Sequence, residues 1–159
     1  SAVRYARRRG LDVVHGSIFR LPFQDASVDL IIAAEVLMLT GENDEAAFKE
    51  AARVLKPGGM LVIAEFQLGS LDTARARIAR LAAAGDLEPT LFHDRTEAAR
   101  RSILEGEPER RRLASSLPAF MRGSVAEMLS LEGSARHASW TAGQRCYFIC
   151  AMRRTAGEA

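Results

Sequence analysis

The spacing of apolar and polar positions divides the chain into short elements. Residues 2–9 have helical composition and stop at Gly10, a residue suited to a left-handed C-cap. Residues 11–15 (LDVVH) form a short apolar run that reads as a strand closed by Gly16. Residues 17–27 read as a loop, with Pro22 and a turn at Gln24-Asp25-Ala26-Ser27. Residues 28–34 (VDLIIAA) are nearly all β-branched or aliphatic, the composition of a strand buried on both faces of a parallel sheet. Over residues 42–55 the helical period sets Ala46, Ala47, Ala51, Val54 and Leu55 on one stripe, with Glu45, Lys49 and Glu50 outside it. Pro57-Gly58-Gly59 ends that helix, and residues 60–66 form the next buried strand. Strand, crossover helix and strand make a right-handed βαβ unit.

Downstream, residues 71–84 read as a helix stopped by Gly85, and residues 87–93 as a strand. Residues 96–104 and 107–131 are mostly helical, with Pro118 separating two helices in the second stretch. Residues 136–140 carry no decisive pattern. Residues 145–152 (RCYFICAM) form a final strand, and the tail after Arg153 is frayed.

Composition narrows the class. The chain has 159 residues, 48% hydrophobic and 26% charged, with a net charge of +2. That fits a single domain over residues 1–159 with a core of its own. The arginines lie along helical stretches such as 5–9, 75–80 and 110–112, a pattern of solvated helix faces rather than a nucleic-acid surface. No apolar run approaches the ~20 residues of a membrane span. Cys146 and Cys150 are four apart in a strand, a reach of roughly 13 Å, whereas a disulfide needs α-carbons within about 7 Å. Two reduced, buried thiols follow, which points to a cytoplasmic protein. The chain opens on Ser1 inside a helical pattern, as expected of a truncated or processed N-terminus.

One block carries family information: VVHGSIFRLPFQDASVDLIIAAEVLMLT, an acidic helix, then EAARVLKPGGMLVIAEF. It resembles the second half of the nucleotide-binding domain of class I S-adenosylmethionine-dependent methyltransferases. Ala52-Arg53-Val54-Leu55-Lys56-Pro57-Gly58-Gly59 is the most specific part. That loop leaves a helix and enters a strand, the reverse of a phosphate-cradling loop, so its role is structural. The family's glycine-rich cofactor loop, which precedes this block, is not in the sequence.

The resemblance implies a Rossmann-like α/β fold with a partial sheet, strands three to seven of the family's order 3-2-1-4-5-7-6. A helical insertion over residues 97–131 precedes the last strand and covers substrate. With strands one and two missing, residues 11–15 either pair directly with strand four or leave that strand as an exposed edge. The implied cofactor is S-adenosylmethionine. Gly16, Ser17 and Ile18 match the adenine contacts, with Ser17 where the family usually has Asp. Ala33, Ala34 and Glu35 match the strand end beside the methionine part, Glu35 having a helix cap as its other reading. Asp29 takes a structural part in the family.

Met38, His93, Phe120, His137 and Trp140 are the acceptor-side candidates, against ordinary core packing for the aromatic ones. His93 and His137 suit a general base, but methyl transfer from a sulfonium also runs on positioning alone, and the sequence names no catalytic residue. Two functions follow. One is methyl transfer to a small-molecule acceptor, in the context of the missing N-terminal half. The other is a non-catalytic relic or partner subunit that acts through protein interaction. Expected partners are the small-molecule substrate, with no nucleic acid or membrane, and a homo-oligomer or a complementing N-terminal fragment.

Overall fold

The structure, a computed structural model, describes residues 2–37 and 40–156. Its elements in chain order are α1 (Ala2–Arg8), β1 (Val28–Ala34), α2 (Asp44–Val54), β2 (Leu55–Leu68), α3 (Leu71–Ala84), β3 (Leu87–Asp94), α4 (Thr96–Glu105), α5 (Glu107–Ser115), α6 (Ala119–Met128), α7 (Ala135–Thr141) and β4 (Arg145–Arg154). The four strands form one sheet in the order β1-β2-β4-β3.

Pairing sense follows from the hydrogen bonds. Ala26 N–H donates to Arg53 O and Ser27 N–H to Val54 O, each at 2.9 Å, so the two strands advance together. β1 and β2 are therefore parallel, and α2 is the crossover that a parallel pair needs. β4 runs the other way: its Gln144 end takes Gly69 N–H at 2.9 Å, while Cys150 meets the Ile63 backbone. Against β3 the sense is again antiparallel, with Arg95 N–H to Tyr147 O at 2.8 Å and Thr155 N–H to Asp86 O at 3.1 Å. The order is that of strands four, five, seven and six in the family the sequence resembles, strand seven included as the antiparallel one.

Two compact units divide the chain. The first holds Ser1–Ile63, Arg77–Leu91 and Cys150–Ala159. Its core is built from Phe48, Val54, Leu55, Leu61, Ile63, Leu81 and Met152, all buried. The second holds Ala64–Ala76 and Phe92–Ile149. There Phe148 stacks on Phe92 with centroids 4.9 Å apart, an offset aromatic pair, and Leu131, Trp140 and Cys146 are buried. Helices α4 to α6 belong to this unit, and Pro118 stands at the break between α5 and α6 as its missing N–H requires.

Local sequence explains α2 well. Asp44 and Glu45 sit in its first turn and Arg53 in its last, each complementing the helix dipole. Asp44 is also fixed laterally: Arg77 reaches its Oδ2 through Nη2 at 2.5 Å and Nε at 3.1 Å, and the Thr40 hydroxyl donates to Oδ1. The buried face is Ala47, Phe48, Ala51, Ala52 and Val54, whereas Ala46 is exposed.

Three expectations need correction. Residues 11–15 are not a strand; Leu11 and Val14 are exposed, and the sheet has four strands rather than five. The physical reason is that a five-residue run cannot hold a strand without a ladder partner, and no strand of the described chain lies beside it. β1 is not buried on both faces: it is the sheet edge, with Leu30 50% and Ile32 70% exposed. Finally, the helix-to-strand junction is abrupt. β2 begins at Leu55, so Lys56-Pro57-Gly58-Gly59 lies within the strand span instead of before it. Gly58 supplies a left-handed φ of 78° there, and a side chain at Gly59 would come within 2.9 Å of Lys56 O and 3.1 Å of Asp29 O. Lys56 Nζ meets both oxygens of Asp29 at 2.8 and 2.9 Å, an ion pair on the exposed side of β1.

Candidate functional site

In the first unit, the loop after residue 13, the end of β1 and the buried face of α2 enclose a cavity of about 300 Å³. Gly16, Ser17 and Ile18 line it together with Ala33, so four of the six sequence-derived cofactor residues meet at one site. The remaining walls are apolar, from Leu21, Pro22 and Phe23 on the loop to Phe48 and Ile63 below. Ala34 and Glu35 do not line it; both are exposed, and Glu35 has a left-handed φ of 54°. The alternating pleat explains the split: Ala33 and Ala34 leave the strand on opposite faces.

The polar content is small and local. Ser17 is the one hydroxyl in the lining, and its Oγ accepts Phe19 N–H at 3.2 Å, which leaves a second lone pair and the O–H free for a ligand. Gly16 is held to glycine by close packing, because a Cβ there would lie 2.6 Å from Pro22 Cδ. An apolar slot with one hydroxyl and loop backbone suits a flat heteroaromatic base. Among the described residues it offers no charged side chain for the amino-acid end of S-adenosylmethionine. The residues present thus fit the base end of that cofactor and not the whole of it.

A clamp that sequence reasoning passed over holds the loop wall in place. Glu50 Oε1 accepts Leu21 N–H at 2.6 Å and also Arg53 Nη2 at 2.7 Å, while Oε2 accepts Arg53 Nε at 2.9 Å. Arg53 in turn donates to Leu21 O at 3.2 Å, Phe23 O at 3.1 Å and Asp25 Oδ1 at 2.5 Å. These hydrogen bonds, chiefly that with Arg53, hold the Glu50 carboxyl below the usual carboxylate range. Arg53 is raised in turn by Glu50 and then Asp25. The signal available in sequence was the i,i+3 spacing of opposite charges, which by itself only marks a helix surface.

The acceptor-side candidates lie in the second unit, Met38 apart, which falls outside the described residues. His93, near the end of β3, is exposed, with Arg95 Nη1 3.4 Å from its Nε2. Phe120 on α6 is 86% exposed. His137 on α7 is half-buried, its Nε2 3.8 Å from Glu107 Oε2 and its backbone N–H held by Ser134 Oγ at 3.1 Å. Trp140 is 4% exposed, inside the core of that unit. None of these four lines the cavity described above. Among the described residues, no group of three or more His, Cys, Asp or Glu side chains is arranged to hold a metal ion, and no helix is long and apolar enough to cross a membrane.

Comparison with known proteins agrees with this picture. Residues 1–63 match the family described as Methyltransferase domain. Over 63 residues the chain is 44% identical to the mouse protein named "Probable tRNA methyltransferase 9B", which is 38% of this chain and 14% of that protein. It is 35% identical over 75 residues to a protein of Encephalitozoon cuniculi named as a methyltransferase, 46% of this chain and 35% of the other. Among solved structures, a protein described as a sarcosine dimethylglycine methyltransferase from Galdieria sulphuraria superimposes with a TM-score of 0.73 at 20% identity, over 96% of this chain and 64% of that one. The [4+2]-cyclase SpnF gives 0.71 at 24%, over 98% and 62%.

Residues 1–63 thus carry the signature of a methyltransferase domain, and the chain shares its fold with solved methyltransferase structures. The described sheet has four strands, and the chain spans less than two thirds of each of these relatives.

Proposed function

We propose that this chain serves S-adenosylmethionine-dependent methyl transfer to a small-molecule acceptor, within a longer protein or assembly that supplies the rest of the cofactor site. The observation that carries the reading is the meeting of Gly16, Ser17, Ile18 and Ala33 in one apolar cavity with a single hydroxyl. In that role Ser17 and the loop backbone bind and orient the base, the walls from Leu21 to Phe23 exclude water, and α2 forms the floor. Bound cofactor supplies an activated methyl group. The residues of this chain need only fix its direction, since the leaving thioether is neutral. Helices α4 to α6 are assigned the part of a cover over the acceptor, and the apolar side chains on them, Phe120 among them, favour a small organic acceptor.

A second reading is retained because of two observations. Among the described residues the cavity has no charged group for the cofactor's amino-acid end, and the fold is shared with a protein described as a cyclase, so fold alone does not fix chemistry. On that reading the chain is a non-catalytic partner subunit acting through the exposed β1 edge. Calorimetric titration of S-adenosylmethionine into this chain, and into a version extended upstream, separates the two. The methyl-transfer reading expects weak or no heat with the short chain and micromolar binding with the extended one. Absence of binding in both sinks it.

A further inference from the structure

Phe66, two residues before the end of β2, carries two arginines on its ring. The guanidinium carbon of Arg136, on α7, lies 5.3 Å from the ring centroid and that of Arg145, at the start of β4, 5.4 Å. Neither has a carboxylate partner among the described residues. In that they differ from Arg53, Arg77, Arg80, Arg100 and Arg111, each of which does.

Their donors are also largely unspent. Arg145 gives Nε to Ser139 Oγ at 2.5 Å, and its terminal nitrogens have no partner among the described residues. Arg136 gives one bond, Nη1 to Met128 O at 3.4 Å, and its buried Nε has none. Arg100 and Arg110 also bury an unpaired Nε, but only Arg136 of the three lies over an aromatic ring shared with a second arginine among the described residues. The nearby acid is Glu127, and both its oxygens are occupied by the α7 backbone, from Ala135 N–H at 3.0 Å and Arg136 N–H at 2.9 Å.

Two half-buried cations on one ring repel each other. The attraction of the ring face offsets part of that, yet it leaves the N–H groups unfilled. Burial first, and the Arg136 charge next, pull Arg145 below the usual guanidinium range, a direction that an added anion would reverse. Guanidinium forks match the two-oxygen edge of a carboxylate or phosphate. The position is apt as well, because open α/β sheets bind ligands outside the carboxyl ends of their strands.

We propose that Arg136 and Arg145, set about Phe66 and Ser139, form a subsite for the carboxylate or phosphate group of a small molecule. Assigning that molecule as the methyl acceptor rests on the function proposed above; the anion site itself does not.

Nuclear magnetic resonance of the arginine Nε–Hε groups tests this without cofactor. Inorganic phosphate and acetate are titrated in separate arms, at ionic strength held constant with chloride. Saturable shifts at both Arg136 and Arg145 are expected in at least one arm, and the responding arm names the group. Arg145→Gln should weaken saturation at least tenfold, with Arg145→Lys intermediate because it keeps charge and loses the fork. Arg136→Gln gives the same readout should Arg145→Gln fail to fold. Shifts that follow chloride alone, or that saturate equally in a folded Gln variant, overturn the proposal. Because no S-adenosylmethionine is present, failure here leaves the methyl-transfer reading standing, and failure of that reading leaves this site standing.

Discussion

Replacing Glu50 tests whether one side chain holds the cavity wall. Glu50 takes three hydrogen bonds, one from the Leu21 backbone and two from Arg53, and is largely buried. Glu50→Ala removes all three and leaves the Leu21 N–H without its acceptor. A hydrogen bond to a charged group contributes about 1.5–3 kcal/mol, and stranding the part-buried Leu21 donor adds at most about 1–3 kcal/mol. These overlap, so about 2–3 kcal/mol of destabilisation is expected rather than their sum. For a chain of this size that lowers the thermal midpoint by roughly 4–12 °C. Glu50→Gln keeps an acceptor for Leu21 but loses the charge, and about 1 kcal/mol follows.

The assay pairs thermal denaturation by circular dichroism with hydrogen exchange at individual amides. Circular dichroism reads the global loss. Exchange at Leu21 reads the local one, and protection there should fall in Glu50→Ala by more than at Ala47 or Ala51 on the helix. If the midpoint drops while Leu21 keeps its protection, Glu50 stabilises α2 and not the loop. The clamp argument is then wrong.

Three further outcomes follow from the same geometry. Glu50 and Asp94 both have depressed carboxyl pKa values, Glu50 through Arg53 and Asp94 through Thr96, so they bind fewer protons folded than unfolded. Their stabilisation is full above the unfolded values near about 4 and is lost as pH falls through the folded ones; a thermal midpoint unchanged between pH 6 and 3 would contradict this. Cys150 is fully buried, and burial pushes its thiol up to about 12, with Cys146 also raised. Neither should react with a thiol reagent at pH 8 until denaturant is added, and stoichiometric labelling of the folded chain within minutes would refute the burial. On the open edge, Ile32→Lys should leave stability within about 0.5 kcal/mol while reducing any concentration-dependent association in light scattering, since edge charges block strand addition. Unchanged association would clear β1 of that role.

How much was legible in sequence depended on whether a residue's role was local. The span of β1 was readable from residues 28–34 because β-branched and aliphatic runs specify extended backbone wherever they lie. The Pro118 break between α5 and α6 was readable for the same reason. The resemblance of a linear motif singled out Gly16, Ser17, Ile18 and Ala33, which the fold brings to one cavity, and four consecutive strands of the sheet order came with it.

Tertiary structure decided the rest. Residues 11–15 have strand composition but no partner in the described chain, and a ladder cannot form on one side only. Leu30 and Ile32 look like core in one dimension, and only strand order shows that they sit at an edge. Glu50 and Arg53 look like an exposed i,i+3 pair until the loop at Leu21 and Phe23, some thirty positions away, is folded against them. Sequence determined which segments could be strand, helix or turn, because those preferences act within a few bonds. Which of them gained a partner, which faces met water, and which charges were left unpaired beside Phe66 were settled by contacts between distant segments, where burial and hydrogen-bond completion outweigh local preference.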